Sequence, residues 1–181
     1  MNQTNKKDFR ILSVAPSDRG FGFVVLEGRD TLVECAVKTV KRDKNAKSLE
    51  KVEELIAHYQ PGVLILENTS AKGSRRAPRI RKLCQQIIKL AATRKVRVKL
   101  YSREQVMKTF IPDGRGTKHA LAEIIANRVP EQLSSQLPPK RQAWMSEDSR
   151  MNIFGAVALV MTFRLKIRSE RPKVSDATKK S

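Results

Sequence analysis

Short apolar runs separated by turn formers open the chain. Phe9 to Ala15, Gly20 to Glu27 and Thr31 to Lys38 are rich in β-branched, aromatic and aliphatic residues, with Pro16-Ser17-Asp18 and Gly28-Arg29-Asp30 between them, which predicts three strands in an antiparallel meander. From Asn45 to Tyr59 the period changes: Leu49, Val52, Leu55 and Ile56 recur at helical spacing with charges between them, and Gln60-Pro61-Gly62 closes the helix. The apolar run Val63 to Leu66 then returns as a strand, completing a β-α-β passage.

Pro78 suits the first turn of a second helix, expected to run to about Lys95. Ile80, Leu83, Cys84, Ile87, Ile88 and Ala91 fill one arc of it and Arg79, Lys82 and Lys89 another, so the helix is amphipathic with a cationic outer face. Val96 to Tyr101 predicts a strand, and Ser102 followed by Gln105 predicts a capping box opening a short helix to about Phe110. The turn Pro112 to Gly116 precedes a helix from Thr117 to about Arg128. Pro130 to Trp144 holds three prolines and few core formers, which predicts a loop. Ser146 is then expected to cap a last helix, Glu147 to about Arg168, whose apolar middle is broad enough to be buried on a sheet. Residues 1 to 8 are expected to be flexible, 9 to 168 to form one domain, and 169 to 181 to be a disordered basic tail.

Composition adds a partner to this outline. Lys and Arg number 37 against 18 Asp and Glu, a net charge of +19, which points to a polyanion. The excess is local: residues 72 to 99 hold 11 basic groups and no acidic one, whereas residues 1 to 71 are nearly balanced at 11 against 10. Cations at that density repel one another unless phosphates neutralise them, so the segment is expected to contact nucleic acid. Lys72, Arg75, Arg76, Arg79 and Lys82 are the candidate phosphate ligands, with Arg115 and Lys118 extending the track. No element suggests base reading, so recognition of backbone shape or branching is expected. Phe21 and Phe23 alternate along a strand and read as core more readily than as base-stacking groups, and His58 and His119 read as surface residues.

Two cysteines, Cys35 and Cys84, stand 49 positions apart without a ligand-spaced partner, which excludes a structural zinc site and a disulfide framework and suits a reducing, cytoplasmic setting. The start of the chain carries no apolar signal region, and the longest apolar run, Ile153 to Phe163, is 11 residues, short of the roughly 18 needed to span a bilayer; no membrane partner is expected.

The order of these elements, together with their local sequences, resembles the RuvC-type Holliday-junction resolvases. Ile11-Leu-Ser-Val-Ala-Pro-Ser17 leading into Gly20-Phe-Gly22 matches the family's first strand and its Gly-Tyr-Gly, through a turn about two residues shorter. Val63-Leu-Ile-Leu-Glu67 matches the strand that ends in Glu, and Tyr101-Ser-Arg-Glu-Gln-Val-Met-Lys108 the family's Tyr-x-x-x-Gln-Val-Lys. Gly116-Thr-Lys118 matches the later turn, and Asn152-Ile-Phe-Gly155-Ala-Val-Ala-Leu-Val160 lies over the closing motif. The resemblance covers Ile11 to Phe163. It implies an α/β, RNase H-like (RuvC-like) fold: a mixed five-stranded sheet with three antiparallel N-terminal strands and helices on both faces.

The resemblance also implies a catalytic tetrad, and most of it is gone. Family members hydrolyse phosphodiesters with two divalent metals held about 4 Å apart by four carboxylates. Here those positions read Ala15, Glu67, Asn152 and Gly155. One carboxylate and one amide do not balance two hard dications and a phosphate. Glu67 is the one retained metal-ligand candidate. Asp18 and Asp148 are the candidate replacements, Asp148 because a helix through Glu147 would set it about 6 Å along the axis from Asn152 on nearly the same face. Glu147 and Asp148 also fit the acid-favouring first turn of a helix, and Asp18 an ordinary turn.

Three functions follow. The leading expectation is a RuvC-like protein for branched or structured DNA, with metal-dependent endonuclease activity weakened or lost, in the two-fold homodimer that the resolvase mechanism implies. The second is an active Mg²⁺- or Mn²⁺-dependent endonuclease with Glu67, Asp18 and Asp148 in a shifted site. The third is a basic RNA-binding or ribosome-associated scaffold.

Overall fold

The computed structural model describes residues 9 to 170. Strands β1 (Arg10–Ser17), β2 (Gly20–Glu27) and β3 (Thr31–Thr39) form the expected meander, β1 antiparallel to β2 and β2 to β3. Helix α1 (Lys44–Tyr59) carries the chain to β4 (Val63–Glu67), which pairs parallel to β1; α2 (Pro78–Thr93) carries it to β5 (Arg97–Tyr101), parallel to β4. The sheet order is β3-β2-β1-β4-β5. Helices α3 (Arg103–Phe110), α4 (Lys118–Ala126), the single turn α5 (Glu131–Ser134) and α6 (Met151–Glu170) complete the chain.

Both faces of the sheet are covered, which is why β1, β2 and β4 are apolar almost throughout. Leu12, Val14, Phe21, Phe23 and Val25 point toward α1 and α2; Ile11, Ala15, Val24 and Ile65 point toward α6 and its neighbours. Phe21 and Phe23 are therefore core residues, at 1% and 0% exposure. Ser102 accepts from the Gln105 N–H and Gln105 reaches back to the Ser102 N–H, so the capping box forms as expected.

Helix α6 sets the site. Its middle is buried on all sides, and the buried Ser13 Oγ donates to the Ala156 carbonyl at 2.7 Å, tying the helix to β1. Gly22 allows the approach: a Cβ there would stand 2.3 Å from the Asn152 carbonyl carbon.

The N-terminus of α6 departs from expectation. The helix begins at Met151, so Glu147 and Asp148 precede it. Asp148 accepts the Arg150 N–H at 2.9 Å and the Arg150 guanidinium at 2.7 Å, which spends its carboxylate on the turn before the helix. That hydrogen bonding holds the Asp148 carboxyl below the ordinary carboxylate range. The Pro130 to Trp144 stretch also contains the α5 turn, which buries Leu133. At the other end α6 runs through Ser169 and Glu170, two residues past the expected boundary. The expectations for residues 1 to 8 and 171 to 181 lie outside the described residues.

Candidate nucleic-acid interface

Parallel pairing of β1 with β4 aligns Val14 with Leu66, so these two inner strands deliver Ala15 and Glu67 side by side toward their C-terminal ends. Helix α6 packs across these strands and adds Asn152 and Gly155. All four positions line one cleft of about 100 Å³, walled otherwise by apolar groups such as Val106, Leu121, Phe154 and Leu159 and by the cations Arg76, Arg103 and Lys118. A Cβ at Gly155 would stand 3.3 Å from the Ala15 Cβ, so strand and helix are closely apposed where two carboxylates would project.

Glu67 is the one acid in the lining, and it is engaged. Arg76, in the loop after β4, donates from Nε at 2.7 Å and Nη2 at 2.5 Å to Glu67 Oε2. The two side chains are 30% and 13% exposed respectively, so the pair is partly withdrawn from solvent. The guanidinium supplies one positive charge against one negative charge.

The candidate replacements do not join Glu67. Asp18 is 86% exposed and faces Arg79 at 3.6 Å. Asp148 pairs with Arg150 and lines a neighbouring groove. Glu147 pairs with Lys118 at 3.1 Å. Among the described residues no three His, Cys, Asp or Glu side chains come together as a metal site. The donor set does not fit a pair of divalent metals: one carboxylate already held by a guanidinium, one amide, and two residues without polar side chains.

Beneath Glu67 lies Cys84, on the inner face of α2. Burial first, and then the Glu67 charge, push its thiol up to about 11, against an opposing hydrogen bond with Thr69. Cys35 is shifted upward as well, by burial and the nearby Glu34. A shift from 9.0 to about 11 cuts the Cys84 thiolate about a hundredfold. Iodoacetamide at pH 8 should leave Cys84 unmodified in the native protein over a period that labels it fully in denaturant, as read by mass spectrometry. Rapid native labelling would contradict the buried placement.

The cations sort into three groups. Lys72, Arg75, Arg76, Arg103 and Lys118 line a groove that begins at Glu67. Gly73, at φ +82°, bends the loop in the left-handed region, and Arg81 Nη2 donates to the Ser74 carbonyl at 2.7 Å, bracing it from α2. Arg79 is turned inward instead: it donates to Asn45 Oδ1 at 2.9 Å and to the Ser17 carbonyl at 3.1 Å, joining α2 to α1 and the β1-β2 turn. Lys82 is exposed on α2, and Arg115 is exposed in the turn before α4. Arg103 is a groove residue that charge counting passed over, because it lies outside the acid-free segment; its position directly after the Ser102 cap was the available signal. His58 is exposed as expected, whereas His119 is 18% exposed and hydrogen-bonds the Pro138 carbonyl at 3.2 Å.

No protein-family model matches the sequence, and no curated protein matches it. Solved structures do match its shape. The structure of Thermus thermophilus RuvC superposes with a TM-score of 0.63 at 15% identity, over 89% of this chain and 96% of that one. The yeast mitochondrial Holliday junction resolvase gives 0.60 at 11% identity, over 91% and 82%. The Fowlpox virus resolvase, in its complex with Holliday junction DNA, gives 0.57 at 14% identity, over 88% and 99%. The chain has the RuvC-like, RNase H-like fold. Within that fold Ala15, Glu67, Asn152 and Gly155 line one cleft, and Arg103 lines both that cleft and the cationic groove with Lys72 and Arg75.

Proposed function

We propose that this protein binds branched DNA on a RuvC-like fold and that family-type two-metal hydrolysis has been lost. The observation that carries the reading is the Arg76–Glu67 ion pair in a cleft whose other three tetrad positions are uncharged. Where hydrolysis requires an anionic pocket that gathers dications, this pocket sets Arg76, Arg103 and Lys118 against Glu67 alone and opens onto a positive groove. Phosphates are attracted to it without a metal bridge. Two of the similar structures, T. thermophilus RuvC and the Fowlpox resolvase, were solved with Holliday junction DNA, which supports a branched substrate here. The same reading assigns a two-fold homodimer that presents two grooves to one junction.

The test is a competition series of four-way DNA, linear duplex and structured RNA at several salt concentrations, with EDTA or with magnesium. Tight, EDTA-insensitive junction binding without cleavage is expected. Metal-dependent cleavage abolished by Glu67→Ala would overturn the non-hydrolytic reading; equal affinity and equal salt slope for structured RNA would overturn junction preference.

A further inference from the structure

Trp144 is the chain's one tryptophan and is 83% exposed. A tryptophan normally buries most of an area of about 150–250 Å², so an indole left in water at the surface is unusual enough to need a reason. The turn that carries it is braced. The Met145 N–H donates to the Gln142 carbonyl at 3.0 Å, and Arg141 Nη1 donates to the Met145 carbonyl at 2.8 Å, fixing the tip on which Trp144 stands. Both ends of the segment are tied to the start of α4, through His119 on the Pro138 carbonyl at 3.2 Å and through the Lys118–Glu147 pair at 3.1 Å.

The surroundings indicate what the indole faces. Between Pro138 and Ser146 there are two cations, Lys140 and Arg141, and no acid. Lys140, Arg141 and Met145 line a groove with Arg19, Arg103 and Lys118, and the last two also line the groove that starts at Glu67. The two grooves therefore adjoin at Arg103 and Lys118, the acids of the second, Glu147 and Asp148, are each paired with a cation, and the tryptophan stands next to its lining residue Met145.

We propose that Trp144 is a stacking platform for a nucleobase, with Lys140 and Arg141 taking the adjoining phosphates. Every base offers a π-face, so the contact is sequence-tolerant, in keeping with a groove that has no base-reading element. In a continuous duplex the bases already stack on each other. A free face is offered at branch points, ends and single strands, so this contact favours branched over linear DNA. The inference rests on the nucleic-acid reading above and adds a residue that sets its selectivity.

Trp144→Ala should weaken four-way junction binding roughly 5- to 100-fold, with a smaller loss on closed linear duplex and an unchanged salt slope, because stacking releases no counterions. Trp144→Phe should keep most of the affinity. Both variants should melt as the parent does, since the side chain is exposed. As the sole tryptophan, Trp144 reports directly: its emission should be quenched on titration with junction and saturate with binding measured on labelled DNA. Junction affinity unchanged in Trp144→Ala, or emission unaltered at saturation, overturns the platform while leaving the nucleic-acid reading intact, and assigns the indole to a protein partner instead. Failure of the parent protein to bind any nucleic acid overturns both.

Discussion

The triple variant Lys72→Ala, Arg75→Ala, Arg103→Ala should lose most junction binding. These residues line the groove that begins at Glu67. Each phosphate contact contributes about 0.9 to the slope of log affinity against log salt, so losing three should lower that slope by about 2.7 and weaken binding at 0.1 M salt by a few hundredfold. Lys82→Ala, exposed on the outer surface of α2, serves as the comparison and should change affinity little. Fluorescence anisotropy with a labelled four-way junction at several salt concentrations reads both quantities. A slope that is unchanged in the triple variant would place the DNA elsewhere on the basic surface.

The distinction between Lys82 and Arg103 also marks where sequence reasoning stops. Periodicity located the elements well: the limits of β2 were read correctly, and Leu12, Val14, Phe21 and Phe23 form a core because two helical layers enclose the sheet. That Ala15, Glu67, Asn152 and Gly155 converge was legible too, since strand order and the closing helix bring them to one cleft regardless of what side chains they carry. What a one-dimensional pattern does not encode is which charge meets which. Arg76 and Arg79 both stood in the acid-free segment as equivalent phosphate ligands, yet the loop after β4 folds one onto Glu67 and α2 turns the other onto Asn45 and the Ser17 carbonyl. Asp148 shows the same limit. Two acids after a serine are a fair signature of a helix start, but the Arg150 guanidinium two positions on offered a better partner than the helix N-terminus, and the helix begins later. Trp144 escaped notice because proline-rich context marks a loop and says nothing of exposure.

Breaking the Arg76–Glu67 pair should show whether the closed pocket is a stability element and a binding element at once. Arg76→Ala leaves a carboxylate that is 13% exposed without its guanidinium partner, in a cleft whose remaining cations are Arg103 and Lys118. Fully buried pairs lose about 3–5 kcal/mol when one partner is removed; residual solvent access lowers the expectation here to about 2 kcal/mol, or about 4 to 8 °C in Tm for a domain of this size. Adding Glu67→Gln removes the stranded charge, so the double variant should recover most of that loss in thermal melts. Equal melting of single and double variants would mean that solvent already screens the pair. Glu67→Gln alone carries the sharper consequence. It frees the Arg76 guanidinium to face a phosphate and removes one of the two acids, Glu67 and Glu104, that line the groove, which should tighten junction binding by up to about tenfold at 0.1 M salt. Removing a carboxylate beside a phosphate raises affinity whether or not the protein cuts, so the gain is read together with cleavage in magnesium. Tighter junction binding by Glu67→Gln with no cleavage by the parent is the expected result, and parent cleavage that Glu67→Gln abolishes would overturn the non-hydrolytic reading.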